Sequence, residues 1–206
     1  MEKVDLKKKF ASIYSAKKGK FEIIDVPLLP YLIVYGQGNP NTSLEYIQAI
    51  EALYSVAYTL KFSIKKGPMA TDYGVMPLEG QWWMDDMNEF SVANKDHWKW
   101  AMMILQPDFI TPEMAEEAKL AAGQKKNLPA LSKLHLGHIE DGMAAQTLYI
   151  GPYADEGPTI QALHAFIFEQ GYQLHGRHRE IYLGDPRKVM PSKLKTILRQ
   201  PVRKAS

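Results

Sequence analysis

The stretch TLYIG, residues 147–151, repeats the character of YLIVYG at residues 31–36, and the prediction of the fold starts from this repetition. Both runs are rich in β-branched and aromatic residues, which favour strands, and both end at a glycine. In each half of the chain, a run with helical spacing and then two more strand-like runs follow. The sequence therefore predicts the order strand–helix–strand–strand written twice.

Four runs predict strands in the first half of the chain: EIIDV (22–26), YLIVY (31–35), YGVMPLEGQWW (73–83) and HWKWAMMIL (97–105). Pro27 and Pro30 lack the amide that a ladder needs, so we expect them to interrupt the strands around them. Thr42 and Glu45 match a capping box and predict a helix that runs to about residue 63. A polar stretch at residues 85–96 separates the last two strand-like runs.

Four further runs predict strands in the second half: LSKLHLGHI (131–139), AAQTLYIG (144–151), HREIYLG (178–184) and LKTILR (194–199). Asp141-Gly142 is a hairpin signal, so we expect the first two of these runs to pair with each other as antiparallel strands. Gly157-Pro158 opens a helix with a regular apolar face, and Gly171 ends it.

A helix of charged and alanine-rich composition is predicted between the halves. Thr111 is its expected N-cap, Pro112 occupies the first turn, and Gly123 is the expected stop. We therefore predict one domain, residues 1–206, built from a first module at about 21–106, a connector helix at about 111–124 and a second module at about 131–202. The fold class is α+β, with each helix on an antiparallel sheet, approximate two-fold symmetry and a central ligand cleft.

The bulk composition excludes several classes of function. Lys and Arg number 25 against 23 Asp and Glu, and this balance disfavours nucleic acid or a membrane surface as the main partner. The absence of cysteine excludes thiolate catalysis and thiolate metal sites and fits a reducing compartment. No signal peptide or membrane-spanning run is evident, so we expect a soluble, cytoplasmic protein. The sequence does not predict the oligomeric state.

The second half resembles a known family in four stretches: TLYIGPY (147–153), FIFEQGYQL (166–174), HREIYLGDP (178–186) and PSKLKTILRQPV (191–202). These stretches resemble the GyrI-like small-molecule-binding domain, which also forms the drug-sensing part of some MerR-type and AraC-type transcription regulators. VMPLEGQWW (75–83) is consistent with a standalone subfamily of the same fold. The helices of a DNA-reading head are missing from the chain, so any regulation of transcription would need another protein.

The resemblance implies a duplicated, SHS2-type fold whose cleft is lined by aromatic residues and a glutamate and takes up large planar, often cationic compounds. The matching glutamate is Glu180. Some standalone members similar to this chain are hydrolases that open the cyclopropane ring of DNA-alkylating natural products, whereas others only bind their ligands. The resemblance therefore implies multidrug binding and xenobiotic detoxification, by hydrolysis or by sequestration. A third hypothesis is that the protein binds and inhibits gyrase, and only the name of the family supports it.

Glu180 is the candidate catalytic carboxylate. In a strand it shares one face with Tyr182, so a carboxylate would lie beside an aromatic ring, where it can attract a cation or act as a general base. A salt bridge to Arg177 or Arg179 is the alternative. Glu79 is a second candidate ligand-binding carboxylate, although the glycine after it makes a turn residue equally reasonable.

Aromatic residues supply the rest of the predicted cage. Tyr54 and Tyr58 lie four positions apart on one helix face. Either could donate a hydrogen bond to a carbonyl of the ligand, and we favour Tyr54 as the catalytic donor and Tyr58 as a ligand contact. Trp98 and Trp100 share one strand face, and of the pair at residues 82–83 we favour Trp83. Core packing is the alternative role for each of these rings.

No cofactor or metal is predicted. His135 and His138, like His175 and His178, are three positions apart, so in a strand they point to opposite faces and cannot chelate one ion without a bend. No phosphate-binding loop and no serine nucleophile elbow are present. The predicted partner is a hydrophobic aromatic small molecule.

Overall fold

A computed structural model describes residues 2–85 and 95–205 of the chain. Its strands are β1 (Glu2–Val4), β2 (Glu22–Val26), β3 (Leu29–Gln37), β4 (Thr71–Tyr73), β5 (Leu78–Trp83), β6 (Lys99–Leu105), β7 (His135–Ile139), β8 (Gly142–Ile150), β9 (Tyr172–Leu174), β10 (His178–Tyr182) and β11 (Lys195–Lys204). Its α-helices are α1 (Leu6–Lys9), α2 (Ala11–Tyr14), α3 (Leu44–Lys66), α4 (Pro112–Lys125) and α5 (Gly157–Glu169).

The chain folds into two compact units. Unit 1 contains Met1–Lys9, Leu29–Met76 and Trp82–Ile139, and unit 2 contains Phe10–Leu28, Pro77–Gln81 and Glu140–Ser206. The predicted stretch 85–96 falls largely outside the described residues. The module boundaries predicted from the sequence stay a prediction.

In unit 1, β3 lies between β6 and β7 and pairs with both as antiparallel strands. The long helix α3 packs on β3 and β6, and α4 packs against α3. Two ion pairs, Lys126–Glu51 and Lys133–Glu45, tie the segment from α4 to β7 to the side of α3. The short strands β1 and β4 pair in parallel.

Helix α3 forms because one of its faces is regularly apolar. Ala49, Leu53, Val56 and Leu60 recur at helical spacing and are buried against the sheet. The N-cap is Ser43, whose hydroxyl accepts a hydrogen bond from the amide of Tyr46. The predicted capping position, Thr42, was therefore wrong by one residue, and the helix runs three residues beyond the predicted end at 63.

In unit 2, four strands follow the order β2-β8-β11-β10, and all three pairs are antiparallel. The first part of β5 continues this order beside β10. Helix α5 covers one face of the sheet through Leu163 and Ile167, which pack against Ala145, Leu198 and Val202. Strand β9 pairs with the far end of β11.

The α+β class and the repeated order are confirmed. The chain runs β3-α3-β5-β6 in its first half and β8-α5-β10-β11 in its second, with one short strand, β4 or β9, after each long helix. The pairs that β3 forms in unit 1 and the pairs β2–β8, β8–β11 and β10–β11 in unit 2 are antiparallel, whereas β1 and β4 are parallel.

Three local predictions were wrong. The Asp141-Gly142 signal does not join a hairpin: β7 pairs with β3, and β8 pairs with β2 and β11. The carboxylate of Asp141 is instead buried on two arginines of unit 2. Pro30 lies inside β3 and does not interrupt it. Gly123 lies inside α4 and does not end it, and the side chain of Leu131 leaves little room for a Cβ at this position.

Candidate functional site

Glu180 lies in the middle of β10 and is 8% exposed. Its Oε2 accepts a hydrogen bond of 2.7 Å from the phenol of Tyr182, two residues along the same strand face. The predicted juxtaposition of carboxylate and ring is therefore present in unit 2. A hydrogen bond to an ionised acceptor is among the stronger ones, so Tyr182 fixes the orientation of the carboxylate.

A second tyrosine and a histidine complete this arrangement. The ring of Tyr153 meets that of Tyr182 edge-on, with centroids 5.5 Å apart and planes at 75°. Nε2 of His178 lies 3.7 Å from Oε1 of Glu180. We call this group, Glu180, Tyr182, Tyr153 and His178, the β10 carboxylate site.

His178 is neutral at physiological pH. Burial, and to a smaller extent the nearby His164, lower the pKa of its imidazole to about 4. Burial also lowers the pKa of His164 itself. A neutral imidazole therefore adds no positive charge beside the carboxylate of Glu180.

Two threonines on the same sheet face carry buried hydroxyls. Thr147 and Glu180 both pair with Leu198, and Thr196 pairs with Tyr182, so all of them point to the face that α5 covers. Neither Oγ1 has a hydrogen-bond partner among the described residues. Buried hydroxyls normally bind a protein group or an ordered water, so this face offers polar groups for water or for a ligand.

The opposite face of β10 carries a buried ion network. The guanidinium of Arg179 contacts Oε2 of Glu79 at 3.0 Å and Oδ1 of Asp141 at 2.9 Å, and Arg199 lies 3.6 Å from the other oxygen of Asp141. Tyr14 donates a hydrogen bond to Glu79. Burial raises the pKa of the Glu79 carboxyl, while the two arginines oppose this shift.

Glu79 and the two arginines that the sequence offered as partners of Glu180 contact other residues than Glu180. Glu79 is fully buried within these ion pairs, and of the two arginines proposed as partners of Glu180, Arg179 lies on Glu79 and Asp141. Arg177 donates to the side chain of Gln81 at 3.4 Å. The ligand-binding role of Glu79 stays a prediction.

In unit 1, the predicted tyrosines form part of a row of rings along α3. Tyr54 stacks on Tyr58 with centroids 6.3 Å apart, and Tyr58 stacks on Phe62 at 6.4 Å. Tyr58 and Phe62 are each about half exposed. The row is an aromatic surface of the kind on which planar compounds stack.

The predicted tryptophans divide between core and surface. Trp98 is 8% exposed and meets Trp82 edge-on, whereas Trp100 is fully buried and meets the ring of Tyr46. Trp83 lines a surface pocket of about 400 Å³ and meets the ring of Tyr35 edge-on.

The structure thus brings together Glu180 and Tyr182 in unit 2, and Tyr54 and Tyr58 in unit 1. Sequence reasoning missed Tyr153, His178 and the two threonines. Alternation along β10 places His178 on the face of Glu180 and was available from the sequence, but strand pairing was needed to add Thr196 and Thr147.

Among residues 2–85 and 95–205, no group of three or more His, Cys, Asp or Glu side chains is arranged to hold a metal ion. Within the same residues, no helix has both the length and the apolar character that crossing a bilayer demands.

Comparisons with known proteins agree with this architecture. Residues 19–203 match the GyrI-like small molecule binding domain. The chain is similar to an uncharacterized conserved protein from Listeria innocua, with 38% identity, a TM-score of 0.89 and coverage of 97% of this chain and 100% of the other. It is also similar to a hydrolase from Listeria innocua, with 37% identity, a TM-score of 0.87 and coverage of 98% and 100%. No curated protein matches the chain.

Proposed function

Because the chain belongs to the GyrI-like small-molecule-binding family, we propose that the β10 carboxylate site takes up hydrophobic aromatic, often cationic, compounds and hydrolyses those that carry a strained cyclopropane ring. The observation that carries the proposal is the nearly buried carboxylate of Glu180, held by Tyr182 and flanked by the ring of Tyr153.

Binding follows from the surroundings of the carboxylate. A planar ligand gains roughly 0.5–1.5 kcal/mol from each well-placed aromatic pair beyond the area it buries. A positive charge near Glu180 gains further, because a carboxylate with little access to water interacts more strongly with a cation than an exposed one does. Aromatic cations are therefore the ligands that this site favours.

Hydrolysis is the finer part of the proposal, and similarity to a hydrolase from Listeria innocua supports it. Glu180 accepts a proton from a water molecule as the water oxygen forms a bond to a cyclopropane carbon. The C–C bond of the ring breaks, and its electron pair passes through the conjugated system to a carbonyl oxygen, which becomes a phenolate. The proton then moves from Glu180 to the phenolate, so that substrate and water together equal the product.

A tyrosine donor to the carbonyl oxygen would stabilise the developing phenolate. The sequence prediction assigns this role to Tyr54, whose ring stacks on Tyr58 in unit 1. That assignment stays a proposal, and Tyr54→Phe tests it separately from the carboxylate.

Binding without turnover is the second candidate, and the description of the matched domain favours it. To distinguish the two functions, the purified protein is mixed with a cyclopropane-bearing alkylator and the mass of the compound is measured by mass spectrometry. Hydrolysis adds the mass of one water at a rate above that of buffer, whereas sequestration returns the compound unchanged.

Glu180→Gln is the decisive variant, and Glu169→Gln, at the exposed end of α5, is its matched control. We expect Glu180→Gln to reduce turnover by about 100-fold, the size typical for loss of a general base. Glu169→Gln should keep full turnover. Equal turnover in both variants would exclude Glu180 as the base.

A further inference from the structure

A second pocket of about 380 Å³ lies in unit 1, built from the N-terminal segment and the end of β4. We call it the Tyr73 pocket. It is lined by residues 3–7 and 72–76 and by Lys61. Its volume lies in the range of small-molecule sites.

The floor of the pocket is apolar. Leu6, Tyr73 and Met76 are buried, and Val4 and Val75 are half-buried beside them. The O–H of Tyr73 has no hydrogen-bond partner among the described residues. Burial raises the pKa of this phenol above its ordinary value, so it remains protonated and available as a donor.

The rim of the pocket carries more positive than negative charge. The carboxylate of Asp72 receives two ammonium groups, Lys61 at 3.2 Å and Lys65 at 2.8 Å, and Lys3 is its direct neighbour across the β1–β4 pair. Lys7 is the third lysine of the lining besides Lys3 and Lys61, while Asp5 adds one carboxylate whose Oδ1 accepts a hydrogen bond from the backbone amide of Lys8.

The lining thus holds three lysines and two aspartates, and Lys65, which contacts Asp72 from outside the lining, raises the local excess to two positive charges. Part of this excess is sheltered from water, since the side chain of Lys61 is 19% exposed and that of Asp72 is 18% exposed. Two ammonium groups that share one carboxylate in a partly dehydrated setting attract a further anion.

We propose that the Tyr73 pocket binds a small carboxylate with an apolar tail, with the tail on the valine and methionine floor and the carboxylate among the lysines. This pocket shares no residue with the β10 carboxylate site, and the two sites favour ligands of opposite charge. A test of carboxylate binding in the Tyr73 pocket is therefore independent of whether the β10 carboxylate site catalyses hydrolysis.

Isothermal titration calorimetry with hexanoate tests the proposal, with 1-hexanol as the uncharged analogue and inorganic phosphate as the anion without a tail. We expect one hexanoate per chain, and binding at least about five-fold weaker for each analogue, since each lacks one of the two interactions. Equal binding of 1-hexanol and hexanoate would overturn the role of the lysines.

Two variants locate the site. A Cβ at Gly74 meets no atom within 4 Å and its φ is not in the left-handed region, so Gly74→Phe fills open space without straining the backbone. We expect it to weaken hexanoate binding by about ten-fold or more by occupying the pocket. Unchanged affinity in a variant with a native circular dichroism spectrum would overturn the proposal.

Charge removal gives the second variant. The double variant Lys3→Gln, Lys7→Gln should weaken hexanoate binding by about five-fold at low salt and reduce its salt dependence. Lys8→Gln is the matched control, because Lys8 is exposed and does not line the pocket. The same loss in the control and in the double variant would contradict a localised site.

Discussion

The phenol of Tyr182 donates a 2.7 Å hydrogen bond to the carboxylate of Glu180 two residues earlier in the same strand. This relationship follows from strand alternation, which places residues i and i+2 on one face. It gives the carboxylate a fixed orientation before any ligand arrives, and orientation of a general base is a large part of its effect.

Tyr182→Phe should therefore lower turnover by about ten-fold, because the carboxylate loses the hydrogen bond that orients it. Ligand affinity should fall much less, since the phenylalanine ring keeps the edge-on contact with Tyr153. Steady-state kinetics with the cyclopropane substrate, compared with Tyr172→Phe on β9 as the control, measures the difference. An unchanged rate would show that Tyr182 does not position Glu180.

Arg179→Met should destabilise the fold by about 3–5 kcal/mol, because it leaves the buried Glu79 and Asp141 without their shared partner. Urea unfolding followed by circular dichroism measures this loss. Arg187→Met removes an exposed ion pair with Asp185 and should cost at most about 1 kcal/mol. Similar losses for the two variants would contradict the importance of the buried network.

The free energy of unfolding should decrease as the pH falls from about 6.5 towards about 4. Burial lowers the pKa of His178 from 6.5 to about 4 in the folded protein, so between these values the unfolded chain binds more protons and gains stability as protons are added. The full effect of this one group is roughly 3 kcal/mol. This contribution is fully present above the unfolded pKa of 6.5 and is lost as the pH falls to about 4.

His178→Phe should flatten this part of the pH profile, since the variant has no proton to bind there. His164 stays in place in both proteins, so the difference between the two profiles reports the loss of His178 together with its interaction with His164. His138→Gln in β7, an exposed position, is the control and should keep the wild-type slope. An unaltered slope in His178→Phe would rule out His178 as its source.

Gly36→Ala should destabilise the fold by at least about 1–3 kcal/mol, because the new Cβ would lie 2.2 Å from a ring carbon of Trp100 and force a repacking of the core. Trp100 is fully buried, so its ring has little room to move. Thermal unfolding compared with Gly157→Ala, where a Cβ meets no atom within 4 Å, provides the measurement. Equal midpoints of thermal unfolding for the two variants would show that the Trp100 indole moves aside without a cost in stability.

Local patterns predicted much of the fold. Alternation and β-branched composition located β2, β3, β10 and β11, and helical spacing located α3 and α5. Strand partners could not be predicted in the same way: Asp141-Gly142 has the composition of a hairpin turn, yet the Asp141 carboxylate binds Arg179 and Arg199, which are distant in sequence.

The candidate site was predictable only where it depends on one strand. Glu180 and Tyr182 share a face because they are two residues apart, and the sequence shows that directly. Tyr153 and Thr147 join them through tertiary packing and strand pairing. The burial of Glu79 likewise depends on an arginine 100 positions away, which no local pattern reveals.

A crystal structure of the protein with a bound planar aromatic cation is the decisive experiment for the role of Glu180. We expect the cationic group within about 4–6 Å of the Glu180 carboxylate, the range in which an opposite charge acts strongly, with a ring of the ligand against Tyr153 or Tyr182. A ligand that binds elsewhere and contacts neither Glu180 nor Tyr182 would refute that role.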